Sequence, residues 1–273
     1  MSVSLSATKM SFQPSAISYQ LTAAFLMISP LFGQAPGRGS RVPAKSAREA
    51  APVDFTGYWV SVISEDWRWR MVTPAKGDFA GIPFTPDGKK VGEAWDPAKD
   101  EASADVCKAY GAAAIMRLPG RVHISWQDDS TLKIETDTGM QTRMLHFGSK
   151  APENLPPSRQ GYSVAQWEGA VRGIGLPRAG LGATREGTNS RALEAATSRL
   201  LPGYLRKNGF PVSSNAVVKE DFDVFAERTG QPWFVVTTIV EDPVYLQEPF
   251  VTSSNFKKQN DGTGWNPRPC SAR

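Results

Sequence analysis

Residues 121–147, RVHISWQDDSTLKIETDTGMQTRMLHF, are the stretch that decides the fold. Val122, Ile124 and Trp126 alternate with polar residues, and the same two-residue period returns after residues 127–130 and after residues 138–139. Alternation with a period of two is typical of a strand with one buried face, and polar breaks of this kind are typical of tight turns. The stretch therefore predicts three antiparallel strands joined as a meander.

Strand-like runs recur on both sides of this meander. Aromatic and β-branched residues fill residues 55–64 (FTGYWVSVIS), and further runs occupy residues 216–227, 233–240 and 245–256. Short, regularly spaced strands favour a barrel or a sandwich. Gly57 and Trp59 also resemble the Gly-x-Trp signature of lipocalins. We therefore expect a mainly β fold, in which an antiparallel meander closes into a lipocalin-like barrel or sandwich.

Two short helices are predicted around residues 85–110. Thr85-Pro86 and Asp96-Pro97 each offer an N-cap residue followed by proline at the first helical position. Apolar residues follow each start at helical spacing. These helices would lie between the first strand and the meander and could close one end of the barrel.

The two ends of the chain differ in character. Residues 1–35 combine a weakly basic start, a short apolar run and small residues after Pro30, which is the layout of a secretory signal peptide. Residues 36–52 are rich in Pro, Gly, Ser and basic residues and predict a flexible linker. Residues 53–273 are predicted to form a single β-rich domain that carries a Gly/Arg-rich loop at 169–192. We expect a secreted or periplasmic protein, soluble and without a membrane span in the mature chain.

Composition narrows the possible partners and cofactors. The net charge of +4 comes from 31 Lys and Arg against 27 Asp and Glu, a balance that argues against a nucleic-acid partner. The chain has only two His and two Cys and lacks the common hydrolase, zinc and phosphate-loop motifs, so no metal or cofactor is expected. In an exported chain, Cys107 and Cys270 are expected to form a disulfide, the alternative being two separate thiols.

Several residues are candidates for a binding site. In residues 65–70 (EDWRWR), alternation would place Glu65, Trp67 and Trp69 on one face of a strand, where an aromatic or sugar-like ligand could stack; alternatively the two tryptophans fill the core. Trp167 beside Glu168 has the same ambiguity. Arg206 and Lys207 could hold an anionic group, or form the solvated end of a hairpin with Asn-Gly as its turn.

Three residues are candidates for acid–base chemistry: Glu65, His146 and Tyr204. His123 and His146 are predicted on strands separated by a third strand, so a shared metal site is not expected. The alternative role for both histidines is structural.

The chain also resembles a group of secreted proteins from environmental bacteria for which we know no established activity. The resemblance is carried by WDP at residues 95–97, SVAQWEG at 163–169, PGYLRKNG at 202–209 and VEDPVY at 240–245. It implies a β-rich secreted domain and a role for both cysteines, and it supplies no catalytic residues.

The functional expectation is an exported β-barrel protein that binds a small, partly apolar or aromatic ligand. Two alternatives stay open. One is an enzyme of unknown reaction, a hydrolase or isomerase, on the same barrel. The other is an envelope accessory protein without a small ligand. The sequence leaves the oligomeric state open.

Overall fold

The computed structural model describes residues 45–148, 150–168 and 192–272, and within them the dominant feature is a closed barrel. The strands in chain order are β1 (Gly57–Val62), β2 (Arg121–Asp128), β3 (Thr131–Thr136), β4 (Thr142–Phe147), β5 (Tyr162–Trp167), β6 (Ala192–Ser198), β7 (Gly203–Tyr204), β8 (Pro211–Val212), β9 (Val217–Ala226), β10 (Pro232–Glu241) and β11 (Phe250–Lys258). Nine of these described strands form the barrel in the order β1-β11-β10-β9-β6-β5-β4-β3-β2, and β7 pairs with β8 in a separate hairpin.

The barrel closes because β1 pairs with β11 on one side and with β2 on the other. The predicted meander is confirmed as β2, β3 and β4, which pair antiparallel in sequence order. The mainly β fold and its barrel are likewise confirmed. One neighbouring pair differs from the antiparallel expectation, since β4 and β5 run parallel. Because β4 and β5 are parallel, the chain must return between them to the end of the barrel at which β4 begins.

Aliphatic and aromatic side chains together fill the barrel interior, and seven of the nineteen buried residues described for this core are aromatic. Phe234 stacks on Phe256 with ring centroids 4.4 Å apart, and Trp59 meets Phe234 edge-on at 4.9 Å. The Trp59 indole N–H donates to the carbonyl of Phe55 at 2.8 Å, which satisfies its polar end inside the core. Gly57 has a φ of +105°, a conformation that L side chains rarely adopt, so the glycine two residues before Trp59 is required by the backbone.

Helices occupy the long connection between β1 and β2. They are α1 (Trp67–Arg70), α2 (Pro86–Glu93) and α3 (Pro97–Ala102), followed by 3-10 turns at Lys108–Tyr110 and Ile115–Arg117. The two predicted helices are confirmed as α2 and α3. Thr85 accepts from the N–H of Gly88, and Asp96 accepts from the N–H of Ala98, each at 3.0 Å, so both predicted caps are formed.

The strand predicted for residues 65–70 is wrong, because this segment forms α1. Asp66 adopts a left-handed φ of +52°, which turns the chain out of the extended conformation that follows β1. Helical hydrogen bonds then run from the N–H of Arg70 to Asp66 and from the N–H of Met71 to Trp67. Trp67 and Trp69 consequently do not share a strand face.

A second hydrophobic core closes one end of the barrel. Val218, Val240 and Phe250 lie side by side on β9, β10 and β11 at that end. Phe79 from the β1–β2 connection and Phe210 from the β7–β8 hairpin pack in the same cluster, with their rings 5.1 Å apart. The connection and the hairpin therefore meet over this end of the barrel.

The β7–β8 hairpin depends on a tight turn at residues 206–209. The N–H of Gly209 donates to the carbonyl of Arg206, and Gly209 has a φ of +80°. A Cβ atom at this position would lie 1.9 Å from Cγ of Trp95, so only glycine fits. Asn208 is fully buried and donates to the carbonyls of Ala75 and Asp78. This hydrogen bonding ties the turn to the segment after α1.

The predicted disulfide is present, with Cys107 bonded to Cys270. It fixes the C-terminal tail beside the first 3-10 turn, where the backbone N–H of Ser271 donates to the hydroxyl of Tyr110.

Residues 45–52, which belong to the predicted linker, contact the barrel: the indole N–H of Trp167 donates to the carbonyl of Ala47 at 2.8 Å. The predicted signal peptide, the rest of the linker and residues 169–191 lie outside the described residues. Within the described ranges, no helix is long and apolar enough to cross a membrane.

Candidate anion-binding cleft

A narrow cleft opens where α1, residues 109–118 and the β7–β8 hairpin meet. Its polar lining consists of Arg70, Arg117, Arg206 and Lys207, and the indole of Trp69 forms part of its wall. The cleft encloses about 20 Å³, room for about one water-sized group. It can therefore receive one oxygen of a carboxylate or phosphate, while the remainder of the ligand would stay outside.

Arg70 is hydrogen-bonded to the backbone of Arg117, and Arg117 is hydrogen-bonded to Asp66, which directly precedes the helix that carries Arg70. The Nε of Arg70 donates to the backbone carbonyl of Arg117 at 2.8 Å, and its Nη1 forms an ion pair with Glu65. The Nη2 of Arg117 donates to Asp66 at 2.9 Å. Both arginines are only 5% exposed. The two carboxylates that precede α1 thus neutralise one arginine each.

Arg206 is the arginine without a carboxylate partner. Its Nη1 donates to the carbonyl of Ala80 at 2.8 Å, and it is 5% exposed. No ion pair within 4 Å joins it to any residue that the structure describes. Its guanidinium instead lies over aromatic rings, 4.9 Å from the centroid of Trp69 and 5.7 Å from that of Phe250. Rings in this position stabilise the cation without neutralising it.

Each of the three arginines leaves one nitrogen without a hydrogen-bond partner among the described residues. These buried atoms are Nη2 of Arg70, Nη1 of Arg117 and Nε of Arg206. Buried polar groups are nearly always paired, and an unpaired donor costs about 1–3 kcal/mol, more when it is charged. The three arginines that carry these donors line one cleft, which is the strongest indication of a ligand site in the described structure.

The charges of the three arginines also work against one another. Burial, followed by the charge of Arg117, lowers the pKa of Arg206 to about 10. Burial is also the main cause that lowers the pKa of Arg70, and the charge of Arg117 contributes in the same direction. Arg117 is therefore close enough to repel both of the others. A bound anion would relieve this repulsion.

Lys207 lies at the rim of the cleft and contacts the C-terminal tail. Its Nζ donates to the hydroxyl of Ser271 at 3.2 Å and lies 5.8 Å from the ring centroid of Tyr110. Ala109, from the 3-10 turn next to Cys107, lines the same cleft. The disulfide therefore anchors two parts of the cleft's surroundings.

The structure brings together three of the predicted ligand-binding residues and separates two. Trp69, Arg206 and Lys207 share the cleft. Trp67 points away from it with 67% of its surface exposed, and Trp167 is buried in the barrel core, where it stacks on Phe55. The alternative, in which Arg206 and Lys207 form a solvated hairpin end with Asn-Gly as its turn, is wrong for Arg206 and Asn208, which are buried.

The predicted acid–base candidates lie in three different places. Glu65 accepts hydrogen bonds from Ser64, Arg70 and Asn255. The hydroxyl of Tyr204 donates to Asp100, and burial followed by this hydrogen bond raises its pKa. None of the three candidates lines the arginine cleft.

The two histidines lie on β2 and β4, with β3 between them, as the meander predicts. His146 stacks on Tyr162 with ring centroids 4.4 Å apart, and burial lowers its pKa. His123 contacts Glu135 at 3.1 Å and stacks on Tyr58 at 4.3 Å. Both rings thus have identifiable packing partners on the barrel wall.

Sequence reasoning missed Arg70 and Arg117 as site residues. Arg117 carries a usable signal, since it is the one charged residue in an otherwise apolar run from Ala112 to Leu118. A charged residue in such a run is expected to be buried, and a buried charge is expected to have a partner. Arg70 has no comparable signal, because the preceding residues are themselves charged or aromatic.

The fold and the cleft define this protein as a β-barrel with a buried arginine cluster beside its closed end. No family model, curated protein or solved structure matches the chain. The functional argument is therefore made from the cleft itself.

Proposed function

We propose that the protein is an exported β-barrel binding protein whose cleft holds the anionic group of a small, partly apolar ligand. The observation that supports this proposal is the set of three unpaired guanidinium donors on Arg70, Arg117 and Arg206. Guanidinium groups bind carboxylates and phosphates through parallel, charge-assisted hydrogen bonds. A ligand anion supplies the acceptors that these donors lack.

The charge balance supports an anion rather than a neutral ligand. Glu65 and Asp66 compensate Arg70 and Arg117, while Arg206 has only carbonyl and ring contacts among the described residues. The cleft thus retains the positive charge of Arg206. Because the cleft is largely withdrawn from water, its attraction for an anion is screened less than at an open surface.

The cleft's size and wall suggest what the rest of the ligand looks like. Its enclosed volume accommodates only one oxygen of the charged end. The partly buried indole of Trp69 forms the aromatic part of the wall, with the guanidinium groups of Arg206 and Arg68 4.9 and 5.4 Å from its ring centroid. Aromatic or aliphatic carboxylates and phosphate monoesters combine an anionic oxygen with an apolar part.

Binding is favoured over acid–base catalysis by the way the carboxylates are used. The carboxylate of Glu65 accepts hydrogen bonds from Arg70, Ser64 and Asn255, and Asp66 forms an ion pair with Arg117. A carboxylate held in this way serves to position the arginines rather than to accept a proton from a substrate. His146 and Tyr204 lie outside the cleft.

Isothermal titration with benzoate, phenyl phosphate and the neutral analogue benzyl alcohol tests this proposal. We expect the two anions to bind and benzyl alcohol not to bind. Arg206→Gln removes a charged donor and should weaken anion binding about ten- to a hundredfold. Arg228→Gln removes an exposed arginine in the β9–β10 turn and serves as the matched control, with unchanged affinity.

Two results would contradict the proposal. One is that benzyl alcohol binds as tightly as the anions. The other is that Arg206→Gln, shown to be folded by an unchanged near-ultraviolet circular dichroism spectrum, binds the anions as the natural protein does. If no anion of either class binds, the alternative of an accessory protein without a small ligand is favoured.

A further inference from the structure

The segment around α1 exposes an unusual amount of apolar surface. Nine large hydrophobic side chains are exposed in the part of the chain that the structure describes, and three of them fall within six consecutive residues. These are Trp67, Met71 and Val72, with 67%, 56% and 64% of their surfaces exposed. Single exposed apolar residues need no explanation, but a cluster of this kind marks a contact surface.

Local geometry makes these side chains neighbours. The N–H of Met71 donates to the carbonyl of Trp67 at 2.9 Å, a helical hydrogen bond that places residues 67 and 71 on the same face. Val72 follows directly, four residues after Arg68. Hydrogen bonds also attach the segment to the rest of the molecule: Arg70 donates to the carbonyl of Arg117, and Asn208 donates to the carbonyl of Ala75. The apolar groups therefore project from a fixed base.

Two exposed basic residues lie in the same segment as this apolar cluster. Arg68 and Lys76 are exposed within the same segment, and Ala75 lies between Lys76 and the apolar cluster. We call the exposed residues Trp67, Arg68, Met71, Val72, Ala75 and Lys76 the 67–76 surface. Acidic residues in the neighbourhood are already paired: Glu65 with Arg70, Asp66 with Arg117 and Asp78 with Arg68. The cations of the arginine cleft lie immediately behind.

We propose that the 67–76 surface docks onto an anionic lipid membrane. Tryptophan prefers the boundary between headgroups and acyl chains, and Met71 and Val72 would insert beside it. Arg68 and Lys76 would remain at the headgroup level, where a basic side chain is attracted by anionic lipids. Lys76 on this surface and Arg206 in the cleft behind it have no carboxylate partner among the described residues, and this excess of positive charge makes a lipid surface with anionic headgroups the matching partner. This inference does not depend on ligand binding in the cleft.

Co-sedimentation with lipid vesicles tests the docking. We expect the purified protein to sediment with vesicles of phosphatidylglycerol and phosphatidylcholine in equal parts, and far less with phosphatidylcholine alone. Added salt should weaken binding, because the attraction between exposed charges is screened. The double variant Trp67→Ser/Met71→Ser should bind the anionic vesicles about tenfold more weakly or worse, since it removes two inserting side chains.

The double variant Phe225→Ser/Val251→Ser is the matched control, because it removes two exposed apolar side chains from elsewhere on the barrel. It should bind as the natural protein does. Both double variants change exposed residues, so their melting temperatures should stay close to that of the natural protein.

Three results would overturn the inference. The natural protein could fail to sediment with the anionic vesicles, or the Trp67→Ser/Met71→Ser variant could bind them undiminished. Light scattering could instead show that the natural protein is a dimer that this variant turns into monomers, which would assign the 67–76 surface to a second copy of the chain. Benzoate titration of the same variant separates this question from the proposed function, because the cleft arginines are intact.

Discussion

Arg143 and Glu220 form an ion pair inside the barrel, and neither side chain is exposed to solvent. The two guanidinium nitrogens of Arg143 meet the two carboxylate oxygens of Glu220 at 2.9 and 2.5 Å. Arg143 lies on β4 and Glu220 on β9, which are separated in the barrel by β5 and β6. The pair therefore bridges the interior from one wall to another. Ser163 and Thr197, on the two intervening strands, bond to each other at 2.7 Å beside it.

We expect Glu220→Gln to destabilise the protein by about 3–5 kcal/mol, because it leaves the Arg143 guanidinium buried without a compensating charge. The measurement is the free energy of unfolding in urea at neutral pH. The double variant Arg143→Met/Glu220→Leu removes both charges and should lose less stability than Glu220→Gln alone. If the double variant is less stable than the single one, the pair contributes net stability and this interpretation of its energetics is wrong.

The disulfide should contribute substantially to stability. It closes a loop of 163 residues, for which the chain-entropy model gives about 5 kcal/mol. Cys270→Ser should lower the urea midpoint strongly and release the tail from Tyr110. The natural protein in the presence of a reductant should then unfold at the midpoint of the variant, and the variant itself should not respond to the reductant. Equal midpoints for the natural protein with and without reductant would contradict the prediction.

Asp221 should make the protein less stable as the pH rises through the mildly acidic range. Burial, followed by the charges of Glu194, Asp223 and Glu168, raises the pKa of Asp221 to about 6 from its ordinary value of 3.8. The folded protein thus binds this proton more tightly than the unfolded chain does. Stability from Asp221 is therefore complete below pH 3.8 and is lost as the pH rises towards and through 6.

Asp221→Asn should therefore stabilise the protein at pH 7 by about 1 kcal/mol, a value reduced for solvent screening of this partly exposed side chain. The gain should vanish near pH 3. Urea unfolding across this pH range measures it, and Asp129→Asn, in the exposed turn between β2 and β3, is the control. A gain that is the same at every pH would show that the charge of Asp221 is not its cause.

Patterns within short stretches of sequence were sufficient to predict those structural elements that depend mainly on neighbouring residues. The alternation of β2–β4, the capping residues of α2 and α3, and the presence of just two cysteines all predicted what the structure contains. Residues 65–70 show where this reasoning ends. A period of two over six residues also fits one helical turn, and the left-handed conformation of Asp66 decided between the two.

Relationships over long distances in the chain could not be predicted in this way. The parallel pairing of β4 with β5 depends on the path of the intervening residues. The arginine cleft joins Arg70, Arg117 and Arg206 from three separated segments, and no single segment contains a motif for it. Of these three arginines, only Arg206 was identified from sequence, because residues 206–208 form a cluster of polar residues.

Replacing residues 171–190 by a short Gly/Ser linker should leave the protein folded. These residues lie outside the described structure, but the strands on either side of them are clear: Trp167 on β5 pairs with Leu193 on β6 in an antiparallel register. Partner Cα atoms in such a pair are about 5 Å apart, and hairpins of a few residues routinely connect them. Because loop-closure entropy changes slowly with loop length, shortening should shift the melting temperature by only a few degrees.

The shortened protein should also keep its affinity for benzoate, because every polar residue of the cleft lies outside the replaced stretch. A second variant, with a Gly/Ser linker of the natural length, separates the effect of loop length from that of loop sequence. If both variants unfold, residues of this stretch pack as part of the barrel. If both fold but no longer bind, the site includes this stretch, and the arginine cleft is not sufficient to hold the ligand.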